Sequence, residues 1–411
     1  MNGYPNEVRI ITDPEGAHTL LRNGEPYVVK GANWPTASTV STLAECGGNS
    51  IRTYGNEIEW MLPLAKKHGF TLLVGIHIER ERLGFDYTDE KAVAKQREAV
   101  LSFVRRYKSE PEVLAWAIGN EPELLAKQTV PLWREVNVLA KLIKAEDPHH
   151  PVMTVVASFD SSKIAELIEH SPDLDVLGVN WYGPADRWPD DLRRYGWKKP
   201  YLLTEFGPLG YWEAPQNPPA TTWGAPVEQT STQKAKLYTE NWLNAVERRK
   251  GQSLGGYAFI WTTKQERTHT WFSMFLPSGE RLASVDSMQA AWTGKPSAYP
   301  SPEILEFKPV STVDAIKPGQ AIAIHLQWNS QQPAEVSVDI RFESTATQAG
   351  GDVEPVPITL PNPKWKETPE GLRVTAPSEP GAYRIFVYVK TTNSPVPSAA
   401  TANLPILVVN H

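Results

Sequence analysis

Two hydrophobic patterns divide the chain. Up to about residue 300, short and nearly continuous apolar runs rich in Val, Ile and Leu alternate with longer amphipathic segments. Continuous apolar runs are typical of strands covered on both faces, and amphipathic segments are typical of helices that cover them. The predicted buried strands are a first strand that follows Tyr27–Lys30 and ends at Gly31-Ala32-Asn33-Trp34, and then Ser50–Tyr54, Thr71–His77, Val113–Asn120, Val152–Val156, Asp175–Tyr182, Tyr201–Phe206 and Gly256–Trp261. The predicted helices include Glu90–Tyr107, Leu132–Glu146, Lys163–His170 and Gln233–Lys250.

Eight buried strands that alternate with helices predict a parallel sheet closed on itself, the α/β fold called the (β/α)8 TIM barrel. Val8–Ile11 and Thr19–Arg22 predict a β-hairpin that precedes the first barrel strand. An open, doubly wound sheet is the alternative fold. Such a sheet normally carries a Gly-rich phosphate-binding turn after its first strand, and the sequence Lys-Gly-Ala-Asn-Trp-Pro at residues 30–35 is not one.

The pattern changes after a stretch rich in Pro and Ser, Pro296–Pro302, which is typical of a stiff linker. Beyond it, apolar and polar residues alternate, as expected for half-buried antiparallel strands, in Ala321–Trp328, Ala334–Phe342 and Ala382–Lys390. We therefore predict a catalytic barrel over residues 1–300 and a C-terminal all-β, immunoglobulin-like sandwich over residues 301–411. We interpret the sandwich as structural, because core positions suit its aromatic residues Trp328, Trp365 and Tyr383 as well as glycan contacts do.

Composition narrows the choice of partner. Lys and Arg number 41 against 47 Asp and Glu, so the net charge of −6 argues against a nucleic-acid surface. The sequence has no apolar run of about 18 residues, so we expect no membrane span. The single Cys46 excludes an internal disulfide and a Cys-rich metal site. The 15 Trp and 14 Tyr favour a carbohydrate partner, because their rings combine an apolar face with a polar edge.

The first residues bear on cellular location. Met1 to Glu7 contain neither a basic start nor an apolar stretch, so we predict no signal peptide there. The protein is then either cytoplasmic or the mature part of a periplasmic or secreted protein. The C-terminal sandwich favours the exported alternative. The sequence does not indicate an oligomeric state.

Two glutamates end predicted barrel strands. Glu121 lies in Gly-Asn-Glu-Pro after strand four, and Glu205 lies in Thr-Glu-Phe-Gly at the end of strand seven. Catalytic groups of TIM barrels project from the carboxyl ends of the strands, so both side chains can face one cleft. Cleavage of a glycosidic bond requires two opposed carboxyl groups, one protonated and one ionised. Neighbouring residues must then separate the two pKa values.

Several residues at the same strand ends suit supporting roles. We expect Arg52 to favour the ionised form of the nearer carboxylate and Tyr182 to donate a hydrogen bond to it. The amide of Asn120 suits a sugar hydroxyl, and His77 is expected to bond Asn120 or the substrate. A metal site at His77 is disfavoured because no second His follows at that strand end. The predicted substrate contacts from strand ends are Arg52, Tyr54, His77, Asn120, Tyr182 and Trp261, the last as the floor under a sugar ring.

Two loops add further candidates. The segment after strand seven, Pro208–Gln229, is long and rich in Pro, and we interpret its Trp212 as a subsite platform. In the loop after strand eight, Gln265, Glu266 and Arg267 can each bind a sugar hydroxyl, and Trp271 can stack on a sugar. Glu266 is also the rival for a catalytic carboxyl, although its place inside a loop makes it the weaker candidate.

The motifs Gly119-Asn120-Glu121-Pro122 and Thr204-Glu205-Phe206-Gly207 resemble those of the clan A glycoside hydrolases. The resemblance is greatest to the catalytic barrels of glycoside hydrolase families 2 and 5, and it covers about 270 residues at a coarse level. It implies that Glu121 is the general acid/base and Glu205 the nucleophile, with retention of anomeric configuration. It also implies supporting positions for Arg52, Tyr182 and Trp261.

We therefore expect a retaining glycoside hydrolase that cleaves a β-linked sugar by double displacement and needs no cofactor or metal. A β-glucan is the first expectation for the substrate, and mannan and galactosides stay open. One alternative is a transglycosylase of the same fold, in which a second sugar replaces water. Another is a non-catalytic barrel that only binds glycan, and a third is metal-dependent hydrolysis.

Overall fold

The computed structural model describes residues 6–346 and 352–410. Their packing defines two compact units. The first comprises residues 6–206 and 240–259, and the second comprises residues 207–239 and 260–410. The predicted division into domains at residue 300 stays a prediction.

Eight parallel strands close into a barrel. They follow an antiparallel sheet of β1 (Val8–Thr12), β2 (His18–Arg22) and β3 (Glu25–Pro26). The barrel strands are β4 (Val29–Asn33), β5 (Ser50–Arg52), β6 (Thr71–Ile76), β7 (Val113–Ile118), β8 (Val152–Val156), β9 (Val176–Tyr182), β10 (Tyr201–Gly207) and β11 (Ser253–Ala258). Each strand pairs with the next along the chain, and β11 pairs with β4 to close the ring.

Helices alternate with these strands along the chain. They are α1 (Val40–Glu45), α2 (Ile58–His68), α3 (Glu90–Tyr107), α4 (Thr129–Glu146), α5 (Ser161–His170), α6 (Trp188–Arg194), α7 (Ser231–Ala245) and α8 (Ala283–Thr293). The Asp89 side chain starts α3 by accepting hydrogen bonds from two backbone N–H groups of its first turn. Every residue of β6 and β7 is buried, as the continuous apolar runs predicted. None of the helices that the structure describes has both the length and the apolar character to cross a bilayer.

Two four-stranded sheets lie in the second unit. One has the order β12-β19-β18-β15, and the other has the order β13-β14-β17-β16. The strands are β12 (Arg281–Leu282), β13 (Glu303–Pro309), β14 (Ala321–Asn329), β15 (Ala334–Phe342), β16 (Trp365–Thr368), β17 (Gly371–Thr375), β18 (Gly381–Thr391) and β19 (Ser398–Val408). Both sheets contribute apolar side chains to one core, so they form a β-sandwich. Tyr383 is buried in that core, and Trp328 and Trp365 pack against it.

The predicted fold class, a TIM barrel followed by an all-β sandwich, is confirmed. The last barrel strand differs from its prediction, because it begins at Ser253 and ends at Ala258, so Trp261 lies three residues beyond it. Glycines disfavour strands, and β11 contains two of them, Gly255 and Gly256. Here glycine is required: Gly255 has φ +118°, and a Cβ atom there would lie 2.1 Å from the Val29 carbonyl oxygen.

Candidate active site

A cluster of polar side chains lies at the carboxyl ends of the barrel strands in the first unit. Arg52 ends β5, Asn180 and Tyr182 lie at the end of β9, and Glu205 lies near the end of β10. Glu121 follows β7 by three residues. Parallel strands place their carboxyl ends at one rim, so residues far apart in sequence come into hydrogen-bonding contact there.

Glu205 is surrounded by donors. One carboxylate oxygen, Oε1, accepts a hydrogen bond from Arg52 Nη1 at 2.9 Å and lies 2.9 Å from the Tyr54 hydroxyl. The other oxygen, Oε2, accepts a hydrogen bond from the Tyr182 hydroxyl at 2.5 Å. A guanidinium and hydroxyl donors of this kind stabilise negative charge on a carboxylate. Arg52 and Tyr182 therefore make their predicted contacts with one of the two candidate carboxylates, Glu205.

Arg52 holds several of these groups together. Its side chain is 1% exposed. Its Nη1 donates to the Thr204 carbonyl at 2.9 Å, and its Nη2 donates to Asn120 Oδ1 at 2.6 Å. The Tyr54 ring lies 4.4 Å from the guanidinium carbon, a cation–π distance. The buried guanidinium thus links Glu205 to Asn120 and to the Tyr54 ring.

Glu121 has a different environment. Its Oε1 accepts a hydrogen bond from Asn180 Nδ2 at 2.7 Å. The orientation of that amide is set from its other end, because Asn180 Oδ1 accepts hydrogen bonds from Thr204 Oγ1 at 2.8 Å and Arg52 Nη1 at 3.3 Å. Burial and the negative charge of Glu205 raise the pKa of Glu121 to about 8, against the lowering effect of the Asn180 hydrogen bond. At neutral pH Glu121 is therefore a carboxylic acid able to donate a proton.

The backbone around Glu121 turns sharply after β7. Gly119 has φ +70° and Glu121 has φ +49°, both in the left-handed region. A Cβ atom at Gly119 would lie only 3.0 Å from Ile78 Cγ1, so both the backbone conformation and the available space favour glycine at this position. The Glu121 N–H donates to the Val155 carbonyl at 2.9 Å, which holds the turn against the neighbouring strand. Left-handed conformations of residues other than glycine are concentrated at functional sites.

His77 lies outside the hydrogen-bonded cluster. The His77 side chain is 67% exposed, and its Nε2 lies 3.9 Å from Glu79 Oε1. The Asn120 side-chain oxygen accepts from Arg52 at 2.6 Å and from Asn180 at 3.1 Å. Among the described residues, the hydrogen-bond donors to that oxygen are Arg52 and Asn180 and not His77. A contact of His77 with substrate stays a prediction.

The second unit contains the remaining predicted substrate contacts. Trp261 and Trp271 are buried; the Trp261 ring stacks on Trp292, and Trp271 Nε1 donates to the Leu209 carbonyl. Trp212, in contrast, is 47% exposed and stacks on Phe272. Glu266 forms an ion pair with Lys264, Arg267 forms one with Glu343, and Gln265 has two buried amide atoms without a hydrogen-bond partner. Roles of these six residues in binding stay predictions.

Sequence analysis assigned no role to three residues of the cluster, which are Asn33, Trp34 and the Asn180 described above. Asn33 Oδ1 lies 2.8 Å from the Tyr54 hydroxyl, and Asn33 Nδ2 donates to the Thr204 carbonyl at 3.2 Å. Trp34 packs its ring 5.5 Å from that of Tyr54. Asn33 ends β4, so the rule that identified the other strand ends was enough to find it. In the residues that the structure describes, no group of three or more His, Cys, Asp or Glu side chains is placed to hold a metal ion.

Comparisons with known proteins bear on the fold. No family model matches the chain. The closed barrel confirms the predicted TIM-barrel fold, and the solved structures given next share that fold.

The individual similarities are partial. Mannan endo-1,4-beta-mannosidase F of Aspergillus clavatus is 27% identical over 151 residues, which is 33% of this chain and 33% of that protein. The structural match to the β-glucuronidase of Bacteroides uniformis covers 98% of this chain and 48% of that protein's chain, with a TM-score of 0.52 and 14% identity. The structural match to the GH2 β-galacturonidase of Eisenbergiella tayi covers 71% of this chain and 55% of that protein's chain, with a TM-score of 0.53 and 18% identity. The chain thus spans about a third of the curated relative and half of each solved structure, whose likeness concerns the fold.

Proposed function

We propose that the protein is a retaining β-glycoside hydrolase, with Glu205 as nucleophile and Glu121 as general acid and base. The observation that carries the proposal is the contrast between two neighbouring carboxyl groups. Glu205 lies among the donors Arg52, Tyr54 and Tyr182, whereas the pKa of Glu121 is raised to about 8. A proton donor beside an ionised carboxylate is the pair that double displacement requires.

In the first step, Glu205 attacks the anomeric carbon and forms an ester bond to the sugar. The bond from that carbon to the leaving oxygen breaks, and Glu121 gives its proton to this oxygen. In the second step, water attacks the anomeric carbon, and the ionised Glu121 takes a proton from that water molecule. The ester bond breaks, and Glu205 is again a carboxylate.

The electrostatics of the cluster support the change of role of Glu121. The negative charge of Glu205 is one of the causes that raise the pKa of Glu121. That charge disappears when Glu205 becomes an ester, so the pKa of Glu121 falls at the intermediate. A lower pKa favours the ionised form of Glu121, which is the form that the second step needs as a base. The same pair therefore suits both steps.

A panel of β-linked oligosaccharides tests which sugar the protein hydrolyses. The names of relatives put β-1,4-mannan first, and β-glucan follows from the sequence analysis. We expect hydrolysis of at least one member, and proton NMR of the first product to show the β-anomer. An initial α-anomer would contradict the retaining mechanism. No turnover of any β-glycoside would contradict the proposed function.

The pH profile tests the assignment of Glu121. Only protonated Glu121 can serve as the acid, and its pKa is about 8, so kcat/KM for an unactivated oligosaccharide should be steady near neutrality. Above about pH 8 we expect a fall of about tenfold per pH unit, because the protonated fraction falls by that factor. Initial rates from pH 6 to 10 measure it. A falling limb that persists unchanged in Glu121→Ala would assign the titration to another group.

A further inference from the structure

Two loops of the second unit follow strands of the barrel. Residues 208–230 follow β10, which carries Glu205, and residues 260–275 follow β11. Loops at the carboxyl ends of barrel strands build the substrate-binding face in enzymes with this fold. Both loops belong to the same compact unit as the β-sandwich. The contacts between these loops and the sandwich therefore lie within one unit.

A buried carboxylate near the end of the first loop connects it to the second loop and to the sandwich. Glu228 is 6% exposed. Its Oε1 accepts hydrogen bonds from Lys234 Nζ and from Thr270 Oγ1, the latter at 2.8 Å. Its Oε2 accepts from Thr268 Oγ1 and from Asn403 Nδ2, each at 2.6 Å. One carboxylate thus joins α7, the loop after β11 and strand β19.

A buried arginine of the sandwich makes a second connection. Arg384, on β18, is 2% exposed. Its Nη2 donates to the Pro226 carbonyl of the first loop at 2.9 Å, and its Nη1 donates to Asn403 Oδ1 at 2.7 Å. The Nε and Nη2 atoms also form a bidentate pair with Glu343, at 2.8 and 2.9 Å. Bidentate pairs between arginine and carboxylate fix geometry as well as charge.

Glu343 extends the network to the second loop. Arg267 Nη2 donates to Glu343 Oε1 at 2.8 Å, and the Arg267 backbone N–H donates to Glu354 Oε2 at 2.8 Å. Within the unit the two loops also contact each other, since Trp271 Nε1 donates to the Leu209 carbonyl at 2.8 Å. The conformation of each loop therefore depends on charged groups of the sandwich.

A buried network of this kind favours one arrangement over others. Removing charged groups from water is costly, and apolar residues of similar volume often stabilise a protein at least as much as a buried ion pair does. A network in which every charge meets a partner at a set position instead penalises every loop conformation that separates the partners. We propose that the sandwich positions the two loops for binding an extended β-linked chain, with Arg384 and Glu343 as positioning residues. The binding part of this proposal rests on the proposed function.

The test compares two variants of the full chain. Arg384→Met keeps an unbranched apolar side chain but removes the hydrogen bonds to Pro226, Glu343 and Asn403. Ile324→Ala is the matched control, because Ile324 is buried in the sandwich core on β14 and its loss weakens the sandwich without touching the network. Hydrogen–deuterium exchange at a temperature where both variants are folded should rise in residues 208–230 and 260–275 of Arg384→Met. It should not rise there in Ile324→Ala, or in β6 and β7 of either variant.

Kinetics give the second readout. In Arg384→Met we expect KM for a long β-linked oligosaccharide to rise about tenfold or more, while kcat/KM for a small aryl β-glycoside stays within about threefold. Equal exchange in both variants, or equal losses on both substrates, would overturn the proposal. If the wild-type protein hydrolyses no β-glycoside, the proposed function fails, and the exchange comparison still decides whether the sandwich positions the loops.

Discussion

Glu205→Gln is expected to lower kcat by roughly 10⁴-fold or more on any substrate that the wild-type protein hydrolyses, because an amide cannot form the glycosyl ester. The size and shape of the side chain are nearly unchanged. The amide oxygen of Gln can still accept from Arg52 and Tyr54, and its NH2 group can donate to the Tyr182 oxygen. The fold should therefore persist, which circular dichroism and a melting temperature would check.

A matched variant separates loss of the nucleophile from loss of a buried ion pair. Glu135, on α4, is 4% exposed and pairs with Arg97 at 2.5 Å, away from the cluster. Glu135→Gln should lower the melting temperature and leave kcat within about twofold, since it removes stability but no reacting group. Retention of more than a tenth of wild-type kcat by Glu205→Gln would exclude the double-displacement role of Glu205.

The barrel could be predicted because its strands are buried on both faces and their hydrophobic pattern is local. The run from Val113 shows the limit of that pattern. The sequence predicted a strand to Asn120, whereas β7 ends at Ile118 and Gly119 takes a left-handed turn. Hydrophobicity indicates which residues avoid water, but the end of a strand depends on where hydrogen-bonded pairing with its neighbours stops.

The same limit applies to the site. The two glutamates could be found because strand ends of a TIM barrel face one rim. The orientation of the Asn180 amide could not be predicted, because it depends on Thr204 and Arg52, which lie on other strands. The burial of Trp261, within a predicted sugar-binding surface, was equally outside the reach of residue spacing. Such features come from packing between segments far apart in the sequence.

Glu121→Ala is expected to divide substrates by the quality of their leaving group. Oligosaccharides leave as poor alkoxides and need the proton of Glu121, so kcat/KM should fall by about 10²–10⁴-fold. Aryl β-glycosides with acidic phenols leave without that proton, so their first step should change by less than about tenfold. Rates on matched pairs of substrates, plotted against the pKa of the leaving group, measure the difference.

The second step supplies an independent check on the same variant. Without Glu121, no base assists water, so the glycosyl ester on Glu205 should accumulate when an activated aryl glycoside is the substrate. Azide needs no such base. It should restore turnover of Glu121→Ala and yield the β-glycosyl azide, because it attacks the face from which the first leaving group departed. Equal losses on both classes of substrate, together with no effect of azide, would assign the acid to another residue, of which Glu266 is the next to test by the same substitution. Because Glu266 forms an ion pair with Lys264, its Ala variant needs Lys264→Met beside it as the control for loss of that pair.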